Sequence, residues 1–107
     1  MAVSDEEVAF LKDHFSGLGH ITTRKMMGGL TIYANGQIFA LRRSDGQLYI
    51  KAKGAFADEL AALGQKPFTM ERDGVTRSMG YYTLPGEAVD DPDLAVAWGR
   101  RALAALG

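Results

Sequence analysis

Cysteine is absent from the 107 residues, which excludes disulfides, thiolate metal sites and thiol nucleophiles and is compatible with a reducing compartment. Histidine occurs only at His14 and His20, with no H-x-x-x-H or H-E-x-x-H spacing to build a metal site on. Both are expected in surface or capping roles. Apolar runs are short of the roughly 18 residues a membrane-spanning helix needs. The amino-terminal M-A-V-S-D-E-E lacks the basic start and apolar centre of a signal peptide. A cytoplasmic protein is expected. Excess charge is also missing, the formal balance being −1. What charge there is divides unevenly. Residues 24–77 carry nine Lys/Arg against five Asp/Glu, and the two ends carry three against eight. That asymmetry falls well short of the pI above about 9 that marks a dedicated nucleic-acid binder.

Hydrophobic residues at 47% and charged ones at 23% are ordinary for a globular chain, and 107 residues suit one core. A single domain over residues 1–107 is expected. Its organising stretch is Arg24–Lys53, where Asn35-Gly36 and Asp45-Gly46 punctuate three runs of alternating polarity. This is the pattern of an antiparallel meander. Two-residue turns at both sites pair Ala34 with Gln37, Ile32 with Phe39 and Leu30 with Leu41. They likewise pair Arg43 with Leu48, Leu41 with Ile50 and Phe39 with Ala52. Directly paired residues share a face. Leu30, Ile32, Phe39, Leu41, Leu48 and Ile50 therefore form a core face. Thr31, Tyr33, Ile38, Ala40, Arg42, Tyr49 and Lys51 form an outer one.

Upstream, Ser4 and Glu7 make a capping box for a helix over about Asp5–Ser16, with Val8, Leu11, Phe15 and Leu18 as its apolar stripe. A strand over Thr22–Met27 leads to Gly28-Gly29, a pair suited to a bulge or a positive-φ turn. Downstream, Ala55–Leu63 reads as a short helix with Phe56, Leu60 and Leu63 on one side and Gly64 as its stop. A hairpin over Phe68–Tyr82 turns at Asp73-Gly74, with Phe68, Met70, Val75 and Met79 on its core side and Thr69, Glu71, Thr76 and Ser78 on the other. Asp91-Pro92 opens a last helix to about Leu106, with Leu94, Trp98, Ala102 and Leu106 as its buried stripe. The expected fold is α+β, in the order α-β-β-β-β-α-β-β-α, with one twisted antiparallel sheet covered by helices on one face.

Reactive constellations are few. Serines 4, 16, 44 and 78 sit outside any G-x-S-x-G elbow, and no nucleophile–base–orienter set assembles. No enzymatic activity, catalytic residue, metal or cofactor is expected. The acids Glu87, Asp90, Asp91 and Asp93 lack the order of a calcium loop and suit a helix start. Gly28-Gly29 beside Arg24-Lys25 serves a turn or bulge, with an anion or partner contact as the alternative. The outer face is the better candidate. Tyr33, Arg42, Tyr49 and Lys51 form a basic–aromatic group there, which fits a plain solvent face, a protein interface including pairing of two copies, or a nucleic-acid platform.

Taken in order, R-K-M-M-G-G, L-T-I-Y-x-N-G-x-I-F-A-L, L-Y-I-K, P-F-T-M-E-R, M-G-Y-Y-T-L-P and D-D-P-D-L-x-x-x-W resemble the N-terminal domain of the TfoX/Sxy family of bacterial competence regulators. Met27 stands where the family usually has Phe, and Gly80 where serine is common. The family's regulator continues into a helical C-terminal domain, whereas this chain ends at Gly107, so a stand-alone N-terminal domain is expected. The resemblance implies a cytoplasmic, non-enzymatic α+β domain grouped with secretion-chaperone-like folds, acting through protein contacts in transcriptional regulation. Arg24, Lys25, Gly28, Gly29, Tyr33, Tyr49, Lys51 and Tyr82 match its pattern. With Arg42 they make up the candidate partner-binding set, a protein being the expected partner and nucleic acid the alternative.

Overall fold

The computed structural model describes residues 4–26 and 29–106, apart from the side chains of Arg72 and Ser78. Helix α1 (Asp5–His14) starts where the Ser4 hydroxyl accepts a hydrogen bond from the Glu7 amide, and runs into a 3-10 turn at Ser16–Leu18. Strands β1 (Ile21–Met26), β2 (Gly29–Ala34), β3 (Gln37–Arg42) and β4 (Leu48–Lys51) follow, then helix α2 (Ala55–Ala62), strands β5 (Pro67–Arg72) and β6 (Val75–Thr83), and helices α3 (Gly86–Asp90) and α4 (Pro92–Ala105). The expected order holds, with α3 as an addition. One six-stranded sheet has the order β1-β2-β3-β4-β6-β5, antiparallel throughout. Among the described residues, no helix is long and apolar enough to cross a membrane.

The Asn35-Gly36 and Asp73-Gly74 turns form as expected, each pair carrying positive φ as a type I′ turn demands. Two irregularities then change the register. Tyr33 pairs with Ile38 but Ile32 pairs with Ala40, so Phe39 is the extra residue of a β-bulge. Beyond β3 the chain turns through Ser44-Asp45-Gly46. The Arg43 amide donates to the Gln47 carbonyl at 2.9 Å, and Gly46 takes φ 97°. This is the three-residue loop with a left-handed glycine, not a two-residue turn. Arg42 therefore pairs with Leu48, Leu41 with Tyr49 and Ala40 with Ile50. Each irregularity slips the register by one residue. Leu41 moves to the outer face, and Ala40 and Arg42 move to the helix-covered one.

The main core lies between sheet and helices. Phe39, Ile32 and Ile50 from the strands meet Leu11, Phe15 and Leu60 from the helices and the turn after α1, and all six are buried. Helix α4 lies against this core along Ala95, Gly99 and Ala102, not along the larger residues of the expected stripe. Leu94 is exposed and Trp98 only half-buried. Small side chains let the helix axis approach the sheet, and a Cβ on Gly99 would already sit 2.6 Å from Leu18 Cδ1. Leu63 is exposed as well, because α2 ends at Ala62 and Gly64 turns the chain with φ 87°. Arg101 lies over the rings of Phe56 and Trp98 while bonding Glu59, tying α4 to α2. That contact lowers the pKa of Glu59 below the ordinary carboxylate value.

His14 departs from its expected surface role. It is buried, its Nε2 lies 2.8 Å from the Ala88 carbonyl oxygen, and its ring stacks on Phe10 and meets Phe15 edge-on. It links α1 to α3. Asp91 caps α4 as expected, its carboxylate accepting from the amides of Asp93 and Leu94.

Candidate functional site

Adjacent residues of a strand point to opposite faces. Tyr82, paired with Ile50, thus joins the main core, and Tyr81, paired with Lys51, turns outward. There Tyr81 packs with Leu41 and Tyr49 into a second buried cluster, flanked by half-buried Ile38 and Phe68. No helical residue contributes to it among those described. This is a small apolar core on the face away from the helices.

What shapes this face is the far end of the sheet. Pro67 pairs with Tyr82 and Thr69 with Ser78, so the single residue Phe68 faces the stretch Met79-Gly80-Tyr81. Gly80 sits there at φ 80°, a conformation open to glycine, and bends β6. The β5–β6 hairpin swings over the outer face and carries Phe68 onto Tyr49, their ring centroids 5.2 Å apart. The hairpin's expected core residues consequently leave the core. Phe68 belongs to the outer cluster, and Met70, Val75 and Met79 are exposed.

The curled sheet encloses a concavity of about 730 Å³ that draws its walls from both edge strands. Tyr33, Ile38 and Leu41 line one side, and Phe68, Met70 and Tyr81 the other. Met26 and Met79 complete an adaptable apolar rim. Cations stand at one end, Arg24 on β1 and Arg43 just after β3, while Lys25, paired with the core residue Leu30, turns its side chain to the helix-covered face. Arg43 lies over the Phe68 ring at 5.6 Å and donates to the Tyr49 hydroxyl at 3.4 Å, a contact that raises the guanidinium above its ordinary pKa.

The nine expected residues separate on these facts. Arg24, Lys25, Gly29 and Tyr33 line the concavity. Gly28, with its neighbour Met27, lies outside the described residues. Gly29 is the first residue of β2. Its Cβ would fall on the Arg42 carbonyl oxygen, and the position requires glycine for close backbone approach. Arg42 also reaches the wall, but its guanidinium is held 2.6 Å from Glu7 of α1, on the helix-covered side. Tyr49 does not line the concavity; it is buried in the outer cluster against Phe68, with 6% of its surface exposed. Lys51 sits 5.2 Å over the Tyr81 ring, and Tyr82 faces the helices. Arg43, Phe68, Tyr81 and the three rim methionines were not expected here. One signal for Tyr81 was available, since consecutive tyrosines in a strand place one ring on each face.

The phenol of Tyr81 is raised above the ordinary tyrosine value of 10.0, first by burial and then by the nearby Tyr33. It is therefore neutral at physiological pH. A raised folded-state value means that its contribution to stability is complete below about pH 10 and is lost as pH climbs through the raised value. A spectrophotometric titration is expected to show one tyrosine ionising after the others, and Tyr81→Phe to remove that late step.

A sheet covered by helices on one side and cupped around an aromatic floor on the other defines an α+β domain with an open, concave sheet face. The family model described as the TfoX N-terminal domain matches residues 13–106 of the chain. The chain belongs to that family. No curated protein matches it.

Proposed function

We propose that this chain is a non-enzymatic regulatory domain that works in the cytoplasm by binding a partner protein in the concavity of its outer sheet face. The observation that carries this reading is the second apolar cluster. Buried aromatic and aliphatic side chains lie at the base of a cup of about 730 Å³, with exposed Met26, Met70 and Met79 around it. Apolar surface gathered in this way marks interaction sites. The regulatory part of the reading rests on membership of the TfoX N-terminal domain family. The non-enzymatic part is supported by the chemistry of the lining. The pKa of its Tyr81 phenol is raised further above neutral pH, which keeps the group protonated and suits packing and hydrogen bonding better than proton transfer.

Two competing occupants fit the geometry less well. A nucleic-acid platform stacks bases on exposed rings. Tyr49 and Tyr81 expose only 6% and 8% of their surface, and Arg42 is engaged by Glu7. A second copy joined face to face brings like cations together wherever the two-fold axis passes near Arg24 and Arg43.

The test uses wild type and the double variant Met70→Glu/Met79→Glu, altered only at exposed positions so that the fold is retained. Immobilised wild type is expected to hold a protein from native-cell extract that the variant loses at least ten-fold. Equal capture by both would overturn the reading. So would salt-steep binding of mixed DNA and RNA with no protein retained.

A further inference from the structure

The cup is polarised, and its polarity defines the partner's chemistry. Lys25 pairs with Leu30, and Leu30 with Arg42, so Lys25 and Arg42 stand level across three strands. At about 4.8 Å per strand, Arg24-Lys25 and Arg42-Arg43 are separated by roughly 10 Å at one end of the sheet. Arg42 is already matched by Glu7. Arg24, Lys25 and Arg43 are exposed, and among the described residues none of them makes an ion pair. Arg43 instead lies over the Phe68 ring, half on apolar surface. Glu71 alternates with Phe68 and Met70 along β5 and faces away from them, so the charge on the cup is positive and lies at one end. Beside the cations lie the Phe68–Tyr81 floor and the methionine rim.

We infer that the cup takes an acidic, apolar peptide segment, with bulky side chains on the Phe68–Tyr81 floor and carboxylates against Arg24 and Arg43. This inference rests on the reading of the cup as the docking site. The volume lies within the roughly 300–1,000 Å³ typical of ligand pockets and accommodates a few side chains. Methionine walls adapt to more than one apolar shape, whereas the spaced cations select sign and direction. A segment with its acids at one end meets Arg24 and Arg43 there. The reversed orientation leaves the cations unmatched.

A random twelve-residue peptide library displayed on phage, selected against the folded protein, tests the inference. Asp and Glu next to Phe, Leu or Trp are expected to be enriched. The most enriched peptide, synthesised and labelled, is expected to bind Arg24→Glu/Arg43→Glu at least ten-fold more weakly than wild type, and Glu71→Gln as tightly or more tightly. Neutral or basic peptides that bind wild type but not Met70→Glu/Met79→Glu would overturn the acidic preference and leave the cup in place. Peptides that bind that methionine variant as well as wild type would overturn the cup as the docking site. A library that yields no enriched sequence would overturn both.

Discussion

Phe39→Ala is expected to destabilise the domain by about 3–5 kcal/mol, a loss typical of removing a buried aromatic ring. Phe39 is fully buried and meets Phe15 edge-to-face at a centroid distance of 5.2 Å. Its ring also lies under α4, where a Cβ on Gly99 would come within 3.4 Å of Cε2. The bulge puts Phe39 and the following Ala40 on the same side of β3, so the sheet offers no alternative residue to fill the space. A chain of this size has total stability of the order of 5–15 kcal/mol, so the loss is between about a fifth and all of it. In urea, with a slope of about 1–3 kcal/mol per molar, the midpoint is expected to fall by on the order of 2 M. A loss under about 1 kcal/mol would mean that the ring is not in the main core.

The second large effect comes from a single methyl group. In a strand, Gly→Ala ordinarily stabilises slightly by restricting the unfolded chain. Gly29→Ala is expected to do the reverse, costing roughly 3 kcal/mol, at the upper end of overpacking penalties. Its Cβ would meet the Arg42 carbonyl oxygen, a backbone atom that moves only if the end of β3 moves. Gly80→Ala is the informative comparison. Its Cβ would enter open space, so only the φ of 80° opposes it, at a cost of about 1–2 kcal/mol. Thermal or urea melts of the two variants separate steric from conformational demand. A stabilised Gly29→Ala would mean that β2 and the end of β3 are not in this close register.

Much of the fold is legible in the sequence because its signals are local. Ser4 and Asp91 are caps, and Asn35-Gly36 and Asp73-Gly74 are tight turns with positive φ, as their residue types require. The faces of β2 and β4 follow from alternation alone. Those of β3 do not. The bulge at Phe39 and the three-residue loop at Ser44–Gly46 each slip the register by one. Two-residue turns at both ends of β3 give consistent faces on paper, and that consistency conceals both slips. Asp-Gly serves either loop length, so the dipeptide does not discriminate. Helix α4 is misjudged for a different reason. Apolar scale favours Leu94 and Trp98, whereas close approach favours Ala95, Gly99 and Ala102.

The candidate site is less legible than the fold, since it depends on curvature. Alternation in the hairpin 68–79 gives Phe68, Met70 and Met79 one common side but not which layer that side meets. The answer depends on the bend at Gly80 and the register shift beside Phe68, neither of which has a composition of its own. Tyr33, Arg24 and Lys25 were accessible to sequence reasoning because β1 and β2 are regular. Arg42 was misplaced by the slips in β3. Arg43, one residue on, occupies the cup in its stead.

The central claim is that the outer cup, and not the helical layer, meets the partner. Methionine methyl groups report on it without any substitution, because Met26, Met70 and Met79 all stand on the cup and none on a helix. The measurement is a methyl NMR spectrum of methionine-labelled protein, recorded with increasing amounts of the partner captured from native-cell extract. Shifts or broadening of the Met26, Met70 and Met79 signals, with the amides of α1 and α4 unmoved, is the expected result. Unmoved methionine signals alongside shifted α1 or α4 amides would contradict it.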